Sequence, residues 1–242
     1  MELSIIIPMY NEAAIAETCA RTLAAAMESA GFSYEILFSD DGSTDDCAAI
    51  IEKTARELVL TGGNLRVVRA DRNRGKGHAV RLGMQAAQGE LRLFTDCDLA
   101  YGTDIIAVMA NRMKTLSADV LIGSRAIAEN GYAGYTLTRR LASRAYLRLL
   151  AASAGFHYTD SQCGIKLFRR EAAQKIFSLA ETDGWAFDFE LLLLAEKFGY
   201  TIEEHPVTVL NHRESKIHLI SDSLKMMNEV RKIKKRLGAK GE

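Results

Sequence analysis

The sequence predicts an α/β protein whose central sheet is mainly parallel and is flanked by helices. Through the first half of the 242-residue chain, short runs rich in Leu, Ile and Val alternate with segments long enough to form helices. Such alternation is typical of βαβ units with parallel strands. Polar clusters follow four successive predicted strands, and sheets of this kind bind ligands at the carboxyl ends of their strands. The sequence therefore predicts a binding site along one edge of the sheet.

The elements are predicted in chain order. We expect strands at residues 3–8, 34–40, 65–70, 90–96 and 119–124, with helices at 12–30, 44–60, 76–88 and 103–116 between them. Ser43 or Thr44 is expected to cap the second helix. After residue 125, the pattern predicts helices at 138–156, 186–200 and about 218–237, with short strands near 164–169 and 201–210.

Composition excludes several classes of protein. Lys plus Arg (31) balances Asp plus Glu (31), so the chain lacks the overall basic charge that binds nucleic acid. The four cysteines form no CxxC pair, which argues against a zinc ribbon and for reduced thiols. The N-terminus resembles no signal peptide, and no apolar run approaches the roughly 18 residues of a membrane span. We therefore expect a cytoplasmic protein that does not bind nucleic acid.

Two common nucleotide-binding motifs are absent from the expected positions. No GxGxxG follows the first strand, and in "GKGH" Lys76 is followed by Gly77 rather than by Ser or Thr. A dinucleotide oxidoreductase and a P-loop NTPase are both disfavoured.

The segment "LFTDCDL" places two carboxylates at the end of a predicted strand. Asp96 and Asp98 are two residues apart, so in an extended chain they point the same way, with Cα atoms about 6–7 Å apart. The pair repels itself unless a cation lies nearby. Mg²⁺ or Mn²⁺ carrying a phosphate ligand suits this pair, because these ions prefer oxygen ligands and need few from the protein. A solvated turn is the alternative reading of the motif.

Six motifs together resemble a known family. "IIIPMYNE", "SDDGSTD", "NRGKGHAVRLG", "TDCDL", "IGSR" and "DSQCGIKLF" occur in the order and spacing of a family 2 glycosyltransferase with the GT-A nucleotide-diphospho-sugar transferase fold. "DSQCGIKLF", "WAFDFELL" and "HRESK" resemble most closely the dolichyl-phosphate β-glucosyltransferases of the polyprenyl-phosphate branch. The resemblance implies one domain, 1–242, with a nucleotide-sugar-binding half at 1–125 and an acceptor-binding half at 126–242.

The resemblance also implies an activity. It implies an inverting enzyme that moves a hexose, most simply glucose from UDP-glucose, onto a polyprenyl phosphate such as dolichyl or undecaprenyl phosphate. Two alternatives stay open: a GDP-mannose-dependent mannosyltransferase, and an accessory protein that binds nucleotide sugars without turnover.

On the donor side, the resemblance assigns the metal and the nucleotide. Asp98 is implied to coordinate Mg²⁺ or Mn²⁺, with Asp96 facing the nucleoside and helping to hold the metal. Lys76 and the amides around Gly75 and Gly77 are expected at the diphosphate. The residues implied to line the nucleotide pocket are Pro8, Tyr10, Glu12 and Asp41, with Asp41 accepting a hydrogen bond from the uracil imide.

On the acceptor side, the resemblance assigns a set of cations and one carboxylate. Asp160 is implied to be a base or a positioning residue. A phosphomonoester is largely dianionic at pH 7, so we expect Asp160 to orient the acceptor more than to abstract a proton. The residues implied to bind the acceptor or donor phosphates are Arg125, Arg139, Arg213, Ser215 and Lys216.

A basic helical stripe predicts contact with an anionic membrane surface. Arg140, Arg144 and Arg148 recur at every fourth residue, and the C-terminal helix is also rich in lysine. The alternative is a solvated helix face. The sequence thus predicts a peripheral protein at the cytoplasmic face of a membrane, and a homodimer is left open.

Overall fold

The central feature of the computed structural model is a sheet of seven strands among the described residues, which are 1–59, 64–132, 155, 157–211 and 219–239. The strands are β1 (Leu3–Met9), β2 (Tyr34–Asp40), β3 (Leu65–Arg69), β4 (Leu91–Phe94), β5 (Val120–Ser124), β6 (Lys166–Arg169) and β7 (Ile202–Pro206). The helices are α1 (Ala13–Ala30), α2 (Cys47–Val59), α3 (Lys76–Ala86), α4 (Asp104–Thr115), α5 (Arg170–Leu179), α6 (Phe187–Lys197) and α7 (Leu219–Ala239).

The strand order is β3-β2-β1-β4-β6-β5-β7. The first four strands in this order run parallel to one another, and β5 runs parallel to β7. β6 is inserted between β4 and β5 and is antiparallel to both. The predicted α/β class with a mainly parallel sheet is confirmed. The antiparallel strand matters for the site, because Lys166 at the start of β6 lies opposite Phe94 at the end of β4.

Each face of the sheet is covered by helices, and this explains why inner strands such as β1 and β5 are almost continuously buried. In β1, Ile5 and Ile7 contribute to one core cluster together with α1 and α4, while Ile6 contributes to the other with α3, α5 and α6. This division follows from the two-residue period of a strand. The two cores fix the edge at which the polar clusters lie.

Two local expectations are wrong or incomplete. α2 begins at Cys47, so neither Ser43 nor Thr44 caps it. The Ser43 hydroxyl instead donates to Asp40 Oδ1 at 2.5 Å and accepts from the Asn11 amide at 2.9 Å, which ties two loops of the edge together. The sequence analysis also does not predict α5. The helix expected at 138–156 lies outside the described residues.

Among the described residues, no helix combines the length and the apolar character that crossing a bilayer requires.

Candidate active site

The polar clusters of the described residues meet at the carboxyl edge of the sheet. They follow β1, β2, β4 and β5, and they also precede α3 and the antiparallel β6. The described residues that the sequence assigns to the site all belong to these segments: Pro8, Tyr10, Glu12, Asp41, Lys76, Asp96, Asp98, Arg125 and Asp160. The others, Arg139, Arg213, Ser215 and Lys216, lie outside the described residues, as do Arg140, Arg144 and Arg148.

The two predicted metal carboxylates lie in a tight loop directly after β4. Asp98 Oδ1 accepts a hydrogen bond from the Ala100 amide at 3.1 Å, and the Leu99 amide donates to the Asp96 carbonyl at 3.0 Å. Leu99 has a φ of 48°, a left-handed conformation that is rare for a residue with a side chain. Such strain is typical of functional loops, where surrounding structure holds an unfavourable backbone in place.

Lys76 neutralises part of this carboxylate pair. Its Nζ lies 2.5 Å from Asp96 Oδ1, and both side chains are only partly exposed. Burial lowers the pKa of Lys76, but the carboxylates of Asp96, Asp188 and Asp98 outweigh it and raise the pKa above its ordinary value. Lys76 is therefore a permanent cation beside the predicted metal ligands.

A second lysine lies behind this group and is fully buried. Lys166 Nζ donates to Asp188 Oδ1 at 2.5 Å and to the Cys163 carbonyl at 2.7 Å. Burial raises the pKa of Asp188 above its ordinary value, although Lys166 and Lys76 oppose this shift. The sequence analysis assigned no role to Lys166 or Asp188. A lysine inside the apolar run "GIKLF" is the feature that indicates a buried partner.

Gly164 allows the loop that carries Asp96 and Asp98 to approach the segment just before β6. A Cβ at this position would lie 2.5 Å from Asp96 Oδ2, so no larger residue fits without moving the carboxylate. The Gly164 amide also donates to the Tyr101 hydroxyl at 3.2 Å. The glycine of "CGIKLF" is thus explained by close packing against Asp96.

Asp41 organises the loop that leads to Lys76. It is buried, and its Oδ2 accepts from the amides of Arg74 at 2.9 Å and Gly75 at 2.6 Å. Its Oδ1 lies 2.8 Å from His78 Nδ1. Both carboxylate oxygens therefore have protein partners in this structure, and the contact between Asp41 and uracil stays a prediction.

The amides expected at the diphosphate also have protein acceptors. The Gly75 amide binds Asp41, and the Gly77 amide donates to the Asp183 carbonyl at 2.8 Å. Gly75 has a φ of 123°, and a Cβ there would lie 2.5 Å from the same carbonyl. The start of α3 is therefore covered by the segment around Asp183. The side chain of Lys76, the first residue of α3, instead reaches Asp96, one of the two predicted metal ligands.

The segment after β1 lies beside the Asp41 loop. Pro8 pairs with Ser39 of β2, and Tyr10 is 43% exposed. The Glu12 carbonyl accepts from the amides of Ile15 and Ala16 in the first turn of α1, both at 3.0 Å. Asn11 takes a positive φ of 55°, and its Oδ1 accepts a hydrogen bond from the Thr44 amide at 2.9 Å. Tyr10 thus presents an exposed ring at the edge, as a nucleotide pocket would require.

Arg125, which follows β5, and Asp160, which precedes β6, form a buried pair on the β6 side of the Asp96–Asp98 loop. Asp160 Oδ2 accepts from Arg125 Nε at 2.6 Å and from the Arg125 amide at 3.0 Å, while Oδ1 accepts from Nη2 at 2.8 Å. Burial lowers the pKa of Arg125, but Asp160 outweighs it and holds the pKa well above its ordinary value. A carboxylate in a bidentate pair with a guanidinium is a strong orienting group.

Tyr101 and Gly164 connect the two parts of the site. Gly164 packs against Asp96 and donates to the Tyr101 hydroxyl, as described above. Burial, followed by the neighbouring Cys163, raises the pKa of Tyr101 well above its ordinary value. Of the Arg125–Asp160 pair, Asp160 also raises this pKa, whereas Arg125 lowers it. The loop of Asp96 and Asp98 and the buried Arg125–Asp160 pair are therefore connected through Tyr101 and Gly164 and form one wall of the site.

The donor set at the edge fits one kind of metal. Among the described ranges, no group of three or more His, Cys, Asp or Glu side chains is arranged around a common point. Two aspartates beside a cation suit Mg²⁺ or Mn²⁺, because such ions are commonly held by one or two carboxylates and complete their shell with phosphate oxygens and water. A closed zinc site, which requires four protein ligands, does not fit these residues.

Comparison with known proteins identifies the family. Residues 4–177 match glycosyl transferase family 2. The chain is 33% identical to the dolichyl-phosphate beta-glucosyltransferase of Saccharomyces cerevisiae, over 94% of this chain and 72% of that protein. It is 35% identical to the Drosophila melanogaster enzyme of the same name, over 84% of this chain and 65% of that protein.

A solved structure shares the fold. Glucosyl-3-phosphoglycerate synthase from Mycobacterium tuberculosis, crystallised with Mn²⁺ and UDP-glucose, superposes with a TM-score of 0.64 at 22% identity, over 94% of this chain and 75% of that chain. At this identity the likeness shows the fold alone. Together with the family match and the relatives, it confirms the resemblance seen in the motifs: the chain belongs to glycosyl transferase family 2 and is a glycosyltransferase.

Proposed function

We propose that the protein moves glucose from UDP-glucose onto a polyprenyl phosphate with inversion at the anomeric carbon. The main support is the arrangement of charged groups along one wall of the site. Asp96 and Asp98, which suit a divalent metal, lie there with Lys76, next to the buried Arg125–Asp160 pair. A diphosphate-bearing donor and a phosphate-bearing acceptor both need such cations. Relatives named dolichyl-phosphate beta-glucosyltransferase support this choice of acceptor and sugar.

On the donor side, Asp98 and Asp96 would hold the Mg²⁺ or Mn²⁺ ion. When bound, the ion supplies positive charge to the diphosphate as it leaves. Lys76 adds a second positive charge beside these carboxylates, and its raised pKa keeps it charged at neutral pH. Tyr10, Glu12 and the neighbouring Pro8 segment would line the nucleoside side.

On the acceptor side, Arg125 would bind the phosphate. Asp160 engages two of the five guanidinium N–H groups, and the other three would serve the phosphate oxygens. A phosphate dianion attacks the anomeric carbon directly: the new bond joins a phosphate oxygen to this carbon as the bond to the UDP oxygen breaks. No proton has to move, so Asp160 acts as a positioning residue for Arg125.

Other features of the proposal concern the surroundings of the site. The relatives support neither a GDP-mannose-dependent enzyme nor a non-catalytic accessory protein. Contact with the cytoplasmic face of an anionic membrane and a homodimer stay predictions. Lys232 and Lys235 of α7 are exposed, as a membrane contact requires, whereas Arg236 is engaged by Glu181 and Glu190.

The direct test is a product assay. The protein is incubated with Mg²⁺ or Mn²⁺, a short polyprenyl phosphate and a panel of nucleotide sugars, and lipid products are identified by mass. We expect a hexosyl polyprenyl phosphate from UDP-glucose. A product only from GDP-mannose, or tight nucleotide-sugar binding without any product, would contradict the proposal.

A further inference from the structure

Trp185 is the single tryptophan of the chain, and within the described part of the chain more than half of it is left exposed. Its side chain is 59% exposed, whereas the other exposed aromatic side chains of the described residues, Tyr10 and Phe198, are 43% and 38% exposed. An indole ring is among the largest apolar groups that a protein can bury, so leaving it exposed forgoes a large stabilisation. An exposed indole beside a polar site therefore indicates a ligand contact more readily than a core contact.

The backbone that carries Trp185 is held firmly in place. Glu190, which is fully buried, accepts hydrogen bonds from the amides of Glu181 at 3.0 Å and Thr182 at 2.6 Å. The Asp183 carbonyl accepts from the first turn of α3, and the Asp183 carboxylate pairs with Arg74 at 3.2 Å. The ring is thus presented by an anchored segment, which reduces the entropy that a ligand contact would have to overcome.

The indole ring faces Lys76 of the proposed donor site. Lys76 Nζ lies 5.6 Å from the ring centroid of Trp185 and 2.5 Å from Asp96 Oδ1. The Lys76 ammonium therefore contacts both the indole and the Asp96 carboxylate. A group attached to a diphosphate at this lysine would come directly against the ring.

The order of strands decides which part of the donor this group is. Asp41 and Tyr10 follow β2 and β1, so the nucleoside side lies toward that end of the sheet. Trp185 lies between this side and a second side that begins at β6, across β4. Asp183, two residues before it, contacts the loop held by Asp41, and Asp188, three residues after it, is bonded to Lys166 at the start of β6. The Arg125–Asp160 pair lies on this second side as well. The sugar lies between the nucleoside diphosphate and the acceptor, so it belongs at Trp185, between these two sides.

We propose that Trp185 is a donor-sugar contact whose indole face packs against the apolar face of the hexosyl ring. This inference rests on the proposed function. A pyranose ring has C–H groups on its faces and hydroxyls around its rim, so an aromatic face covers the former while charged groups bind the latter. A ring contact of this kind selects for the sugar and contributes little to the binding of UDP alone.

The unique tryptophan makes the first measurement direct. Fluorescence of the full chain is titrated with acrylamide in the presence of Mg²⁺, which does not quench as paramagnetic Mn²⁺ would. We expect UDP-glucose to shield Trp185 from acrylamide and UDP to shield it much less. Equal shielding by UDP, or shielding by a short polyprenyl phosphate but not by UDP-glucose, would overturn the inference in favour of a nucleotide or lipid contact.

Substitution provides the second measurement, by calorimetry with Mg²⁺. We expect Trp185→Ala to weaken UDP-glucose binding on the order of tenfold and UDP binding by less than about twofold, with Trp185→Phe in between for UDP-glucose. Phe198→Ala, an exposed aromatic at the far end of α6, is the matched control and should change neither affinity.

The outcomes separate the two proposals. If the parent protein binds UDP-glucose and Trp185→Ala binds it equally well, or loses UDP and UDP-glucose alike, the sugar contact is wrong and the proposed function stands. If the parent binds no nucleotide sugar of the panel, the proposed function is wrong and the sugar contact fails with it.

Discussion

Replacing Lys166 by methionine tests the buried ion pair behind the site. Lys166 is fully buried, and its ammonium binds Asp188 at 2.5 Å and the Cys163 carbonyl at 2.7 Å. Methionine fills a similar volume but leaves the Asp188 carboxylate without this cation. Removing one partner of a buried pair typically costs about 3–5 kcal/mol. Because Lys76 also favours the charged form of Asp188, we expect the lower end, about 3 kcal/mol.

The assay is urea denaturation, supported by thermal melting. For a chain of this length, a loss of about 3 kcal/mol corresponds to a decrease in Tm of roughly 6–12 °C. Lys114→Met is the matched control, since Lys114 forms an exposed pair with Glu2, and such pairs contribute about 0–1 kcal/mol. The double variant Lys166→Met/Asp188→Leu removes both charges and should recover most of the loss.

Two results would refute this reasoning. The first is a loss no larger for Lys166→Met than for Lys114→Met, which would mean that the Asp188 charge is well solvated without its partner. The second is a double variant that is no more stable than Lys166→Met, which would mean that lost packing around Lys166, rather than an uncompensated carboxylate, is responsible.

Four further predictions concern the site and the pH dependence of stability. Asp98→Asn should abolish transfer and weaken UDP-glucose binding with Mn²⁺; turnover near the parent level in this variant or in EDTA would contradict the metal role. Asp160→Asn should raise the acceptor KM more than it lowers kcat, with kcat/KM following the acceptor's second pKa; a kcat loss of about 10²–10⁴-fold at constant KM would identify a base. Gly164→Ala should displace Asp96 and weaken Mg²⁺-dependent donor binding by calorimetry, whereas unchanged affinity would show that the carboxylate moves freely. Burial, followed by a neighbouring arginine, lowers the pKa of His205 below its ordinary value of about 6.5, so stability should fall as pH decreases below that value. His205→Gln should flatten this fall in urea denaturation between about pH 5 and pH 8, and an unchanged slope would assign it to other groups.

The sequence predicts the sheet edge well because its information is local. Strand and helix periods, together with chain order, are enough to bring the segments containing Asp41, Lys76 and Asp96 to one edge of a parallel sheet. Even α5 was open to prediction: Ala172, Ala173, Ile176 and Phe177 are buried at helical spacing, and the pattern is present in the sequence.

The remaining features depend on contacts between distant residues. Nothing in the spacing of "DSQCGIKLF" shows that β6 enters the sheet antiparallel between β4 and β5, because strand order is set by tertiary packing. The partners of Asp41, which lie 33 to 37 residues away, and the pairing of Lys166 with Asp188 are likewise set by folding. Sequence motifs therefore identify the reactive groups but not which of them neutralise one another.

The insertion of β6 between β4 and β5 also has a consequence for synthesis on the ribosome. Until residue 169 has left the exit tunnel, β6 cannot enter the sheet. The edge of β4 that faces away from β1 then has no partner, and β5 has no neighbour on its β4 side. Unpaired strand edges are templates for association between chains. We expect a truncated chain ending at Ser124 to aggregate rather than to fold as a separate nucleotide-binding unit, and its completion to depend on a late, long-range strand pairing.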